Sequence, residues 1–245
     1  MSATAVQSLV ARATSRVWPA DVGRPTGFSS SAARLLALGS WLAVSSFVVL
    51  AITHLAVYDR EVKTLNADEE ANLWTWASSG ATFAAAVGAL VLLTVRPAAI
   101  RPLAVLAVAV FFLSLDDAIG LHERIVHEHV GSIGPIDEGA RVVWPILYLP
   151  MLVAVFGLIW TLASVVPRPA GRRLRLGLLL LAGAILAELV AAAIIQVGYD
   201  HFSFVYNVEV AVEEGAELSG WMLIATGLLA TAIAWASPPA PASES

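Results

Sequence analysis

Apolar residues run along this chain in six long blocks, at about 35–57, 71–95, 102–121, 142–166, 176–198 and 217–236. Each reaches the roughly 20 residues that a helix needs to cross a bilayer. No stretch alternates polar and apolar positions over about ten residues, as the strands of a membrane barrel would. Helices are therefore the elements predicted, since a lipid-exposed backbone must satisfy its own polar groups. The fold expected is all-α: a polytopic integral membrane protein built as a bundle of six transmembrane helices over residues 31–236. Pro145 and Pro150 predict a kink in the fourth helix. Trp74, Trp76, Trp144, Tyr148 and Tyr58 near the block ends predict interfacial anchors.

The flanks read differently. Over residues 1–30, Val6, Leu9, Val10, Ala13 and Val17 recur at helical spacing with Arg12 and Arg16 opposite, the pattern of an interfacial amphipathic helix. Residues 237–245, SPPAPASES, predict a disordered tail.

Composition sharpens the membrane reading. Hydrophobic residues make up 58% of the chain and charged residues 13%, with a mean hydropathy of +0.79, against about 25% charged in an ordinary soluble domain. Cysteine is absent, so disulfides, thiolate metal sites and a cysteine nucleophile are excluded. A net charge of −5 gives no nucleic-acid signature. Lys and Arg number ten on one side of the expected topology and four on the other. That bias predicts cytoplasmic N- and C-termini, and the Ala-rich, Arg-over-Lys usage suits a bacterial inner membrane. Arg172, Arg173 and Arg175 are read as topology determinants touching anionic lipid.

Candidate chemistry concentrates in Phe111 to His129, FFLSLDDAIGLHERIVHEH, where an apolar run ends in acids and histidines. On an unbroken helix Asp116, Glu123 and His127 fall within about 40° of one another, with Gly120 on the same stripe. Asp117 and Glu128 form a second stripe, His122 and His129 a third. Helix five carries a lone acid, Glu188. Helix six carries Glu209, Glu213 and Glu217, with an Ala216-xxx-Gly220 pair that permits close helix contact. All five histidines, including His54 and His201, belong to the extracytoplasmic side. Counting helical rise suggests a polar funnel narrowing to Glu188. The run Asp59 to Glu70 is read as a solvated face ahead of helix two.

Acids in an apolar span must be protonated, paired or bound to a cation. A divalent metal is the cofactor expected: carboxylates mixed with imidazole suit zinc, iron or manganese. The ligands expected are Asp116, His122, Glu123, His127, Glu188 and Glu217. Asp117 and Glu213 are the residues expected to move protons. The segment is not a zincin motif, because its histidines at 122 and 127 lie five apart, about 140° round a helix. The function expected is a metal-dependent intramembrane hydrolase or oxidase acting on a lipid or apolar substrate, with membrane lipids as its surroundings. The alternatives are a proton- or divalent-cation-coupled transporter and a non-catalytic membrane subunit or sensor.

Overall fold

The computed structural model describes residues 17–18, 28–60, 62–68, 72–121, 124, 139–198 and 202–236. The surface helix expected before residue 17 and the tail 237–245 lie outside them, as do His122, Glu123, His127, Glu128, His129 and His201. Six long helices follow one another: α1 Ser30–Val57, α2 Leu73–Val95, α3 Ile100–Ile119, α4 Gly139–Val165, α5 Arg168–Gln196 and α6 Phe204–Ala236. All six are long and apolar enough to cross a membrane, and there is no strand among the described residues. Side-chain oxygens of Ser29 and Asn72 cap α1 and α2 by accepting from the first free backbone N–H groups, as helix starts require. Helix α4 runs through both Pro145 and Pro150.

Helices α5 and α6 begin furthest ahead of their apolar blocks, at Arg168 and Phe204. The reason for α6 is enclosure. Tyr206, Asn207, Glu209, Val210 and Ala211 are buried and Glu213, Glu214 and Glu217 half-buried, so the helix runs through the acids at 209–217 with much of its surface against the protein. Helices α1, α2 and α5 all pack on α6, and the contacts α6–α2–α3–α4–α5–α6 close a ring with α1 against its outside. The thinnest seam of that ring is between α3 and α4.

The two ends of the bundle are built differently. At the end where α5 starts, packing is close. A Cβ placed on Gly171 of α5 would meet the Ala163 carbonyl oxygen of α4, and one on Gly227 of α6 would lie 2.8 Å from Leu174. Nearer the middle of the bundle, one turn from Glu217, a Cβ on Gly177 would lie 2.7 Å from the Gly220 carbonyl oxygen, so the α5 and α6 backbones touch there, as the small pair Ala216-xxx-Gly220 leads one to expect. Leu174, Leu178, Leu218, Ile224 and Leu228 fill the adjoining core. Beyond them Arg173 Nε donates to Ser40 Oγ at 3.0 Å. Arg175 donates to the Ala163 carbonyl and Ser164 Oγ and lies over the Trp160 ring. These two arginines, read from sequence as lipid-facing, instead tie α5 to α1 and α4, because their guanidinium forks meet hydroxyls and a helix-end carbonyl within reach. From the N-terminal segment, Trp18 is buried and its indole donates to Thr161 Oγ1 at 3.0 Å.

Because the α5–α6 contact is backbone on backbone, added volume there has nowhere to go. Gly177→Leu should lower stability by about 1–3 kcal/mol or prevent assembly. Thermal unfolding of the detergent-solubilised protein checks this, with Gly183→Leu, at a position open to its surroundings, expected to be near neutral.

Candidate functional site

At the opposite end, where α3 finishes and α6 starts, the polar residues collect. Helix α3 ends at Ile119 because Gly120 takes a left-handed conformation, φ 59° and ψ 41°, a region that costs glycine little and other residues more. Its amide donates to the Asp116 carbonyl, and a new turn then begins, with the Arg124 amide donating to the Gly120 carbonyl at 3.1 Å. The single stripe joining Asp116 to Glu123 and His127 assumed an unbroken helix. That count does not carry across Gly120, whose freedom serves to end the helix.

Four carboxylates are held by neutral donors from neighbouring helices. Tyr148 Oη of α4 donates to Asp116 Oδ1 at 2.8 Å, and Ser79 Oγ of α2 donates to Asp117 Oδ2 at 2.7 Å. Ser78 Oγ, the preceding residue, donates to Glu217 Oε1 of α6 at 3.1 Å. On α4 the Trp144 indole donates to Glu188 Oε1 of α5 at 2.7 Å. Ser114 Oγ adds a bond to the Ser79 carbonyl at 2.8 Å, fixing α3 on α2. The result is a polar belt running from α6 through α2, α3 and α4 to α5. Asp116 is buried, and Asp117, Glu188, Glu213 and Glu217 are half-buried. Arg124 is exposed.

The Tyr148 ring sits between Phe112 and Trp144, with centroids 6.0 and 6.1 Å away, so the donor to Asp116 is positioned by packing as well as by its bond. Trp144 lies one helical turn before Tyr148, about 6 Å along the axis. Glu188 is thus held nearer the acid-rich end than Asp116, and the expected funnel does not narrow to Glu188. Trp74, Trp144 and Tyr148, read as interfacial anchors, are hydrogen-bonding residues of the interior instead. Trp76 is 75% exposed.

Sequence reasoning missed a second feature at this end. The segment 62–68 is not merely a solvated face: it folds over α1 as a strap. The Ala67 amide donates to Nδ1 of the fully buried His54 at 3.0 Å, and Tyr206 Oη of α6 donates to Asp68 Oδ1 at 2.6 Å. Asn72 Nδ2 donates to the Ala67 carbonyl, and the Trp74 indole to the Leu65 carbonyl. The run Asn66-Ala67-Asp68 followed by Asn72, rich in turn and cap formers, was the signal that could have shown it.

Of the residues expected to bind metal, Asp116, Glu188 and Glu217 are placed at this end, while His122, Glu123 and His127 lie outside the described residues. Among the described residues no group of three or more His, Asp or Glu is gathered closely enough to hold a metal ion. Asp117 and Glu213, expected to move protons, both lie at the same end, Asp117 on Ser79 and Glu213 one turn before Glu217 on α6.

Fold and site together define an all-helical apolar bundle of six long helices, compatible with a membrane protein, with a polar belt at one end. The chain belongs to the family described as domain of unknown function DUF8692, whose sequence model matches residues 32–232. No curated protein matches the chain, and no solved structure matches it.

A buried carboxylate that loses a donor bears part of its desolvation cost. Tyr148→Phe should therefore destabilise the bundle by about 1–3 kcal/mol, read as a lower unfolding midpoint. Trp76→Phe, on an exposed ring, should stay within about 0.5 kcal/mol of wild type.

Proposed function

We propose that the chain is a metal-dependent membrane enzyme acting on a lipid or other apolar substrate. The reading takes a zinc, iron or manganese ion as held by Asp116, Glu188 and Glu217 with His122, Glu123 and His127. The observation that supports it most is the one-sidedness of the site. Carboxylates from α3, α5 and α6 are oriented by hydroxyl and indole donors toward one end, while toward the other Gly171 lies against the Ala163 carbonyl, Gly227 lies against Leu174, and Arg173 and Arg175 tie α5 to α1 and α4.

Polar side chains gathered toward one end favour chemistry there over passage through the bundle, since a carrier needs a path on both sides of its binding site. A metal ion in this place would lower the pKa of bound water or polarise a carbonyl. Asp117, fixed by Ser79, or Glu213 would then carry the proton.

Metal analysis of the purified protein tests this directly. Wild type should hold about one or two ions per chain, and Glu123→Gln, His127→Ala and Asp116→Asn should each hold less while keeping the wild-type oligomeric profile. A wild-type protein free of stoichiometric metal after purification without chelators, and after incubation with zinc, iron or manganese, removes the metal mechanism.

A further inference from the structure

The strap over α1 suggests a regulated element distinct from the carboxylate belt. His54 is fully buried, and its Nδ1 accepts the Ala67 N–H. A backbone N–H can only donate, so the docked strap requires an imidazole with no hydrogen on Nδ1, the neutral ring with its proton on Nε2. Taking up a proton converts Nδ1 from acceptor to donor, and two donors then face each other. His54 is covered in part by the strap itself, since Asn66 and Ala67 are both buried. A proton reaching the ring and a strap lifting from it are therefore coupled events.

We propose that residues 62–68 form a proton-operated latch, docked on α1 while His54 is neutral and released when His54 is protonated. Histidine suits this role because its ordinary titration lies in the physiological range. The other ionisable groups around it are few. On α1 itself Tyr58 has its ring centroid 6.4 Å away. The strap brings Asp68, and its Lys63 is exposed. Helix α6 brings Tyr206, which holds Asp68, and the buried Glu209 two residues beyond the neighbouring Asn207. Asp68, which accepts from Tyr206 Oη at 2.6 Å, attracts an imidazolium, but that attraction leaves the Ala67 amide facing an N–H in place of its acceptor.

Release would be felt at the carboxylate belt. The Ala67 carbonyl accepts from Asn72, whose side-chain oxygen caps α2. One to two turns on, the same helix presents Ser78 to Glu217 and Ser79 to Asp117. The latch thus joins the outer cover of the polar end to the helix that orients two of its acids.

Hydrogen exchange of the full-length protein in detergent, read at the Ala67 amide, tests the proposal. After correction for the intrinsic pH dependence of exchange, protection in wild type should fall between about pH 7.5 and about pH 5, with a slope of up to about tenfold per pH unit for one coupled proton. His54→Asn, which keeps an acceptor near Nδ1 but does not titrate, should make protection independent of pH. Asp68→Asn and Glu209→Gln should leave the pH response in place. Unchanged protection of the wild-type amide across that range overturns the latch without recourse to any variant. Loss of the response in Asp68→Asn or Glu209→Gln, with His54 intact, overturns the assignment to His54.

Discussion

A carboxylate enclosed among apolar helices must find hydrogen-bond donors, and in this bundle the donors come from neighbouring helices. That requirement governs the acid-rich end. Between helices in an apolar medium the hydrophobic effect gives little drive to associate, and packing with a few interhelical hydrogen bonds sets the arrangement. Apolar contacts alone leave a helix free to rotate or slide by small amounts. The bonds Ser79 to Asp117, Ser78 to Glu217, Tyr148 to Asp116 and Trp144 to Glu188 remove that freedom. Each names one residue on each of two helices, so together they fix the rotation and register of α2, α3, α4, α5 and α6 around one ring.

The other end achieves the same precision by different means. Gly171 sets the α5 backbone against the Ala163 carbonyl and Gly227 lies against Leu174, and nearer the middle Gly177 and Gly220 bring two backbones into contact, so that dispersion over many atom pairs replaces directed bonds. Arginines and a buried tryptophan complete the closure through hydroxyls and helix-end carbonyls. One end is specified by volume and the other by donor and acceptor identity, and the thin α3–α4 seam runs between the two halves of the polar belt. The consequence is a bundle held at one end by close packing and at the other by hydrogen bonds between named pairs of side chains.

Much of this was legible in the residues. Block length and composition were enough for six helices, and a small-residue pair on the last helix was enough for a close contact. Other features were hidden for identifiable reasons. A glycine on a helix face does not announce whether it admits a neighbour or ends the helix, and Gly120 ends it. Trp144 and Tyr148 have the composition of interfacial anchors, and only the register of α4 against α3 and α5 turns them toward Asp116 and Glu188. Arg173 and Arg175 follow the charge rule for loops yet spend that charge inside the protein. The strap depended on His54, Asp68 and Tyr206 meeting from three places far apart in the chain, which no local pattern records.

The retention of so many acids carries its own argument. Replacing a buried charged group with a well-packed apolar one is often neutral or stabilising, and a bundle with leucine at 116, 117, 188 and 217 would need none of the serine, tyrosine and tryptophan donors that hold these positions. The donors offset part of the desolvation cost but do not remove it. A chain shaped by stability alone has no reason to keep Asp116 almost fully buried on a tyrosine hydroxyl, nor to place a histidine beneath a strap where it must remain neutral. Both features lie at the same end, and α2 links them through Asn72, Ser78 and Ser79. The cost is therefore concentrated at the polar end, and close packing toward the arginine-lined end offsets it.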